Sequence, residues 1–341
     1  GVANNGSPST GKWLWNGQFR LHELTRSDDP VDISWTVSDT GQRYGLGLGY
    51  RVPLVQPGVL DLGITGMYSE YDGSSFALTP IDFQGSSTNL DLALYGNPLS
   101  WEKAKSNFSY QLGMNYEKVE SYNSIFQENA GGSFFTPRFS LSVESKGEIV
   151  RSIGSIVLRS NLSSVPVEQR EFMGGFEVED KVPVLALSYR SMINLSKLFS
   201  STNDPYADLD RHSLWLNFDA VGSLTNQRML PQKQWLLGGA SGVRGYPESI
   251  VAGDHGFLFS IEYRWKLLSL GTSPKKRFSL SLAPFFDYGQ SFVKDPFFYE
   301  SDQTLIGLGC GLLTELPGGG QARLDFAKPL KTVETDTGIR E

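Results

Sequence analysis

Apolar and polar residues alternate along many short segments of this chain, and this period of two most constrains its fold. The clearest case is residues 107–117, where odd positions are polar or glycine and even positions carry Phe108, Tyr110, Leu112, Met114 and Tyr116. Side chains of a β-strand point alternately to the two faces of a sheet, whereas a helix would distribute these residues around its circumference. The segment is therefore predicted to be a strand with one apolar face.

Similar patterns recur from residue 12 almost to the end of the chain. We predict fourteen strands, at residues 12–21, 32–38, 42–51, 59–71, 89–95, 107–117, 134–144, 148–161, 182–194, 213–223, 257–267, 277–289, 304–314 and 321–328. Residues 1–5 are predicted to be the end of a preceding strand, and no segment has a convincing helical period. The predicted fold class is all-β.

Connection lengths favour a membrane barrel over a soluble β-sandwich. Longer connections tend to fall at alternate positions (72–88, 121–133, 162–181, 224–256 and 290–303), with short turns among the others (52–58, 145–147 and 315–320) and 195–212 as the main exception. Outer-membrane barrels have short turns on one side and long loops on the other. The sequence has no uninterrupted run of about 18 apolar residues, so no transmembrane helix is predicted. We predict that residues 1–341 form one transmembrane antiparallel β-barrel.

The strand count predicts that the barrel closes outside this chain. Bacterial barrels normally have an even number of strands, which indicates about 16 in the full protein. The polar tail at residues 332–341 does not alternate, so the last strand is expected to be missing unless closure is unusual. No signal peptide opens the sequence, which is interpreted as a mature product or a fragment.

Composition argues against several classes of function. The formal charge is −7 without a basic patch, so no nucleic-acid partner is predicted. A single cysteine, Cys310, excludes an intrachain disulfide and a cysteine zinc cluster. His22, His212 and His255 are scattered and lack ligand spacing, and no nucleophile motif surrounds a serine. No metal, cofactor or enzymatic activity is predicted, although a barrel enzyme remains the alternative from a different class.

Parity assigns two carboxylates to the inner face of neighbouring strands. In residues 257–265 the odd positions are aromatic or apolar, so Glu262 is predicted to point inward with Ser260 and Arg264. In residues 278–287 the even positions point outward, so Asp287 points inward with Phe285. A short turn joins the two strands, which are expected to pair as a hairpin.

One arginine lies in the long loop that precedes this hairpin. Arg244 is flanked by Gly242 and Gly245, and glycines allow a backbone to approach a wall closely. A guanidinium can donate to two carboxylates with a geometry that lysine cannot reproduce. Arg244 is therefore a candidate partner of Glu262 and Asp287. From spacing alone, an exposed loop arginine above a wet channel is an equally acceptable interpretation.

Two motifs resemble the signatures of the BamA-like superfamily of outer-membrane insertases and translocases. These are Val243-Arg244-Gly245-Tyr246 and Phe285-x-Asp287-x-Gly289. The resemblance implies that residues 226–255, here called loop 6, fold into the barrel. It also implies that Arg244 contacts Glu262 and Asp287 there, on the strands that the superfamily counts as the twelfth and thirteenth of its barrel.

Further segments resemble one branch of that superfamily, the two-partner secretion transporters (TpsB; ShlB/FhaC/HecB type). They are residues 5–11, Gly253-Asp254-x-Gly256 followed by Glu262, and residues 323–330. The resemblance implies the barrel domain of a hemolysin-type (type V) protein transporter in a bacterial outer membrane, or in an organelle envelope derived from one. Its implied partners are a secreted exoprotein, outer-membrane lipid and lipopolysaccharide, and POTRA domains of the same full-length protein outside this chain.

Two other functions of such a barrel remain open at this stage. A BamA-type insertase would open a lateral seam for nascent barrels, and a passive porin would leave the Arg244 motif unexplained. Parity makes one further prediction about the wall. Cys310 shares its face with Ile306, Leu308 and Leu312, so its thiol is expected to face lipid.

Overall fold

The computed structural model describes residues 2–3, 11, 13–22, 29–73, 83–101, 105–123, 128–173, 177–199, 211–271, 278–296, 300–318 and 320–333. The strands in these ranges are β1 (Val2–Ala3), β2 (Leu14–Leu21), β3 (Val31–Ser38), β4 (Arg43–Pro53), β5 (Leu60–Gly73), β6 (Phe83–Trp101), β7 (Ser106–Asn123), β8 (Glu128–Lys146), β9 (Val150–Ser160), β10 (Val178–Glu179), β11 (Pro183–Asn194), β12 (His212–Ser223), β13 (Arg228–Met229), β14 (Trp235–Leu237), β15 (Val251–Gly253), β16 (His255–Leu270), β17 (Phe278–Phe292), β18 (Gln303–Glu315) and β19 (Gln321–Pro329). Two short helices, α1 (Val167–Phe172) and α2 (Leu195–Phe199), and a 3-10 turn at Pro231–Lys233 lie in the connections.

Fifteen of the strands form one antiparallel sheet in which sequence neighbours are also spatial neighbours. β1 to β9 are followed by β11, β12 and β16 to β19, and β1 and β19 are its outermost members. The remaining four are short segments within connections: β10 pairs with β13 in parallel, and β14 pairs with β15 antiparallel. All fourteen predicted strands are confirmed, and the predicted stub near the chain start is β1, paired with β2.

Two of the connections predicted to be long are shorter than expected, and two short helices lie where the sequence shows no helical period. β5 ends at Gly73 and β6 begins at Phe83, while β7 ends at Asn123 and β8 begins at Glu128. The ends of these strands are rich in polar residues and glycine, so their alternation is weak. The two helices have only six and five residues, too few to show a period of 3.6. None of the helices in the described residues is long and apolar enough to cross a membrane.

The sheet forms a barrel wall with loop 6 against its inner face. Open sheets with more than about ten twisted strands curl, because the twist accumulates from strand to strand. Loop 6 places Lys233 against Glu117 of β7 and over the Phe134 ring of β8. Further along, Arg244 contacts β16 and β17, so one connection touches two distant parts of the sheet. The antiparallel barrel fold predicted from the alternation is confirmed.

The two faces of the wall differ in the way that parity predicts. On β17 the inward residues Ser279, Ala283, Phe285 and Asp287 are buried, while Pro284 between them is exposed. The outer face carries exposed apolar side chains, among them Leu46, Leu48, Leu90, Leu92, Leu112, Ile156, Leu308 and Leu312. Such a band is typical of the lipid-facing side of a membrane barrel.

Apolar clusters lie between the inner face and the connections rather than inside the sheet. One joins β7 and β8 to the β9–β11 connection and to loop 6: Val119, Ala130, Phe134, Val165, Met173, Val178 and Leu230. A second joins loop 6 to β16 and β18: Leu237, Val243, Val251, Leu258 and Leu305. These clusters hold loop 6 against the wall at two places and so position the candidate site.

Candidate functional site

A short ladder closes the distal part of loop 6 into a compact unit. β14 pairs with β15, with Trp235 opposite Gly253 and Leu237 opposite Val251. Residues 238–250 lie beyond this ladder and include the Val243-Arg244-Gly245-Tyr246 motif. Val243 is fully buried in the apolar cluster against the wall. The ladder and the cluster together orient Arg244 toward β16 and β17.

The structure brings Arg244 and Asp287 together through three hydrogen bonds. The guanidinium donates from Nε to Oδ2 at 2.7 Å and from Nη2 to Oδ1 at 2.7 Å. The backbone N–H of Arg244 also donates to Oδ2 at 3.1 Å. The Asp287 side chain is 0% exposed and that of Arg244 is 11% exposed. This bidentate geometry distinguishes arginine from lysine in carboxylate recognition.

Glu262 is the second carboxylate that contacts Arg244, and it is shared with two other arginines. Arg244 Nη1 donates to Oε2 at 2.8 Å, and Arg264 Nε donates to Oε1 at 2.6 Å. Arg323 of β19 donates from Nη1 and Nη2 to the two oxygens, at 3.2 and 2.6 Å. Arg323 Nε also donates to Asp325 at 2.7 Å. We call Arg244, Glu262, Asp287, Arg264, Arg323 and Asp325 the Arg244 network.

Two further inward side chains complete the surroundings of the guanidinium. Ser260 donates to Asp287 Oδ1 at 2.6 Å and accepts from Arg244 Nη2 at 3.2 Å. The guanidinium carbon lies 3.4 Å from the centre of the Phe285 ring, a cation–π arrangement. Ser260, Arg264 and Phe285 were predicted to face inward, and the structure places all three at the site.

Glycines on the wall allow the loop backbone to approach it directly. A Cβ at Gly307 would lie 2.2 Å from the carbonyl oxygen of Arg244, and one at Gly289 would lie 2.9 Å from Val243. Gly245 adopts a φ of +98°, and a Cβ there would lie 3.0 Å from the backbone of Pro329. The glycines of both motifs therefore serve close contact between loop and wall.

Tyr246 connects the loop to the ends of β18 and β19. Its hydroxyl accepts from the backbone N–H of Ile306 at 3.1 Å and lies 2.6 Å from the carbonyl oxygen of Lys331, to which it can donate. Together with Gly245 against Pro329 and Arg323 on Glu262, this places β19 in contact with the loop motif. The motif thus touches four consecutive strands, β16 to β19.

The formal charges of the Arg244 network cancel, with three arginines and three carboxylates. The side chains of Arg244, Glu262 and Asp287 are 11%, 6% and 0% exposed, so these three charges are largely removed from water, whereas Arg264, Arg323 and Asp325 are partly exposed. Hydrogen bonds between charged groups are stronger in such surroundings than at a surface, and an unpartnered member is correspondingly costly.

Sequence reasoning did not place Arg323 and Asp325 at the site. Both residues belong to the segment 323–330 that resembles the two-partner secretion branch, but parity on β19 gave no reason to connect them to Glu262. The register does so, because Glu262 lies opposite Phe285 and Phe285 opposite Gly309, while Asp325 lies opposite Gly311, two residues further along β18. Of the first resembling segment, residues 5–10 lie outside the described residues.

Possible metal ligands are scattered in the described part of the chain. No group of three His, Cys, Asp or Glu side chains is arranged there to hold a metal ion. His212 Nδ1 lies 2.6 Å from the Tyr263 hydroxyl, and His255 Nδ1 accepts the backbone N–H of Ser223 at 3.1 Å. Both histidines therefore have structural partners.

An antiparallel barrel with an inward loop and an arginine network describes a class of membrane-barrel proteins, and comparisons with known proteins show what this chain is similar to. Residues 180–340 match the Omp85 superfamily domain. The matched residues, slightly less than half of the chain, contain both loop 6 and the whole Arg244 network.

Solved structures of the same fold cover nearly the whole chain. CdiB from Escherichia coli matches with a TM-score of 0.77 and 17% identity over 98% of this chain and 59% of its own length. CdiB from Acinetobacter baumannii matches with a TM-score of 0.62 and 14% identity over 95% of this chain and 58% of its own. BamA from Haemophilus ducreyi lacking POTRA domains 1-3 matches with a TM-score of 0.65 and 13% identity over 96% of this chain and 66% of its own length.

These likenesses concern the fold. The chain spans slightly less than three fifths of the length of the two CdiB structures. No curated protein matches the sequence significantly.

Proposed function

We propose that this chain is the barrel domain of a bacterial outer-membrane transporter that secretes a partner exoprotein through the barrel. The observation that carries the proposal is loop 6 lying against the inner wall, with Arg244 bonded to Asp287 and Glu262. A loop attached through a neutral charge network, with the Arg244–Asp287 pair buried at its centre, can be released as a unit. A passive pore would not need a releasable loop.

The choice of an exoprotein as substrate has two supports. The segments Gly253-Asp254-x-Gly256 and 323–330 resemble the two-partner secretion branch, and the CdiB barrels, which belong to two-partner secretion, have this fold. Passage requires no nucleotide in this proposal, because folding of the exoprotein outside the cell makes transport one-way. Outer-membrane lipid and lipopolysaccharide would surround the wall, and POTRA domains of the full-length protein would receive the substrate.

A BamA-type insertase is the second candidate, because the Haemophilus ducreyi BamA barrel also has this fold. An insertase would act on nascent outer-membrane barrels rather than on one exoprotein. The two functions differ in which proteins are affected when the barrel is impaired: a transporter defect retains the exoprotein, whereas an insertase defect depletes other outer-membrane barrels.

The test uses the full-length protein expressed with the exoprotein encoded beside it. We expect Arg244→Ala to reduce the exoprotein in the medium while the barrel stays inserted, since the loop loses its attachment to the wall. The matched control is Arg20→Ala, which removes an arginine paired with Asp32 at 2.6 Å but half exposed to solvent. Unchanged secretion in Arg244→Ala and Asp287→Ala would reject the proposed role of the network. A general loss of other outer-membrane barrels would favour the insertase.

A further inference from the structure

Loop 6 has a second polar attachment, at its base, centred on a carboxylate that the Arg244 network does not include. Asp254 lies between β15 and β16 and is 0% exposed. Its Oδ1 accepts the backbone N–H of Met229 at 2.7 Å and the Gln234 amide at 3.3 Å. Its Oδ2 accepts the backbone N–H of Lys294 at 2.8 Å. We call Asp254 and these three donors the Asp254 cluster.

The cluster joins three separate stretches of chain. Met229 and Gln234 belong to the segment that enters loop 6, Asp254 to the segment that leaves it, and Lys294 to the β17–β18 connection. The backbone N–H of Asp254 donates to the carbonyl oxygen of Phe292 at 2.9 Å, which fixes the carboxylate relative to β17. A fully buried carboxylate needs such donors, so each of the three stretches is held by the same group.

Arg228 strengthens this attachment from the neighbouring position. Its Nη2 donates to Glu300 at 2.7 Å and its Nη1 to the carbonyl oxygen of Asp295 at 3.3 Å, both beyond the end of β17. Through the parallel pairing of β13 with β10, the same segment is also joined to the β9–β11 connection. The entrance of loop 6 is thus bonded to two other connections.

The glycines around Asp254 serve the same packing. A Cβ at Gly253 would lie 2.2 Å from Ser291 Oγ, and one at Gly256 would lie 2.5 Å from the Trp235 ring. Trp235 begins the β14–β15 ladder, which separates the Asp254 cluster from residues 238–250. The Gly253-Asp254-x-Gly256 motif therefore builds the base of the loop, and the ladder divides this base from the part that carries Arg244.

We propose that Asp254 is a positioning residue that fixes the base of loop 6 independently of Arg244. Release of Arg244 then frees residues 238–250, while residues 228–234 stay attached at the rim of the barrel. When the distal part of the loop binds the wall again, the attachment at Asp254 keeps Arg244 level with Asp287 along the barrel wall. The proposal deepens the proposed function, on which it rests for the purpose of releasing the loop, but it concerns attachment and is measured without any secreted substrate.

Trypsin sites lie on both sides of the ladder and provide the test. Lys233 is in the base and Arg244 in the distal part, so the full-length protein in detergent is digested and the rate at each site is followed by mass spectrometry. Asp254→Asn is expected to speed cleavage after Lys233 by about tenfold, because a buried group loses its charged hydrogen-bond partner. Asp287→Asn is expected to speed cleavage after Arg244 and to leave Lys233 protected.

The matched control is Asp302→Asn. Asp302 accepts the backbone N–H of Val293 at 3.0 Å in the same β17–β18 connection, but it is exposed. Folding of each variant is checked by its heat-dependent gel mobility, and Arg228→Gln replaces Asp254→Asn if the latter does not fold. Arg228→Gln is likewise expected to speed cleavage after Lys233.

The pattern of cleavage decides between the alternatives. A purely structural role for Asp254 would speed cleavage at sites throughout the barrel, and this result would overturn the proposal. Equal acceleration at Lys233 and Arg244 in Asp287→Asn would also overturn it, because the loop would then have one attachment. The proposed secretion function would fail separately, through normal secretion in Arg244→Ala while Asp254→Asn still speeds cleavage after Lys233.

Discussion

Asp287→Asn is the sharpest test of how strongly loop 6 is attached to the wall. The carboxylate accepts three hydrogen bonds from Arg244 and one from Ser260, and its side chain is fully buried. Asparagine has nearly the same volume but no charge, and its amide group presents N–H donors where one carboxylate oxygen now accepts. The substitution therefore weakens the attachment without opening a cavity.

The expected magnitude follows from the partners that remain. Removing one member of a buried ion pair costs about 3–5 kcal/mol. The lower end applies here because Arg244 Nη1 keeps its bond to Glu262, at 2.8 Å in the intact site. Since 1.4 kcal/mol corresponds to a factor of ten, a cost of about 3 kcal/mol raises the detached fraction of the loop about 100-fold.

Tryptic cleavage after Arg244 in the folded, full-length protein measures this fraction. Where the loop reattaches faster than trypsin cuts, the cleavage rate is proportional to the detached population. Glu262→Gln is expected to give a smaller increase, about tenfold, because Asp287 still holds the guanidinium at two nitrogens. Asp302→Asn serves as the control for loss of an exposed carboxylate, in the connection that follows β17.

A rate in Asp287→Asn within about twofold of the wild-type rate would refute the reasoning, since the buried pair would then contribute almost nothing. A larger effect from Glu262→Gln than from Asp287→Asn would refute it as well. That order would mean that the arginines of β16 and β19, rather than Asp287, determine the position of the loop.

Two further predictions concern the wall. Gly307→Ala is expected to speed cleavage after Arg244, because the new Cβ would lie 2.2 Å from the Arg244 carbonyl oxygen; Gly66→Ala, with nothing within 4 Å, is the control, and equal rates would contradict the prediction. Cys310 lies on the outer face opposite Pro284 and is expected to resist a membrane-impermeant thiol reagent in proteoliposomes. Ser241→Cys in a Cys310→Ser background is the control that should react readily, and efficient labelling of Cys310 would contradict the outward assignment.

The strands of this barrel were predictable because alternation is a property of each segment by itself. Residues 107–117 alternate without exception and lie within β7. Alternation did not predict the parts of strands that extend beyond the apolar outer face. The start of β8, Glu128 to Gly132, has no apolar face, yet it pairs with β7 because backbone hydrogen bonds do not depend on side-chain polarity.

The site was predictable only in part. Parity placed Glu262 and Asp287 on the inner face, and the motif resemblance connected them to Arg244, since spacing alone left a solvated arginine equally acceptable. Nothing in the sequence indicated that Asp254 would collect donors from three stretches of chain. Such a cluster depends on how connections pack against each other, and tertiary packing of irregular segments leaves no periodic signal.

The wall carboxylates are unequal in their dependence on Arg244, and this inequality makes a last prediction. Glu262 keeps Arg264 and Arg323 when the Arg244 side chain is removed, whereas Asp287 keeps only the backbone N–H of residue 244 and the Ser260 hydroxyl among its described contacts. Arg244→Ala thus leaves a buried carboxylate without a cation, which is costly. Adding Asp287→Asn removes that charge, so the double variant is expected to be more stable than Arg244→Ala alone.

Urea unfolding of the barrel, followed by gel mobility, measures this difference. We expect the midpoint to fall in Arg244→Ala and to recover in the double variant, although Asp287→Asn alone weakens the loop attachment. Residues that share one buried contact give such non-additive effects, whereas independent residues give additive ones. If the midpoint of the double variant falls by the sum of the two falls in the single variants, Asp287 must gain water or another partner once Arg244 is removed. The charge of Asp287 would then not be what Arg244 compensates.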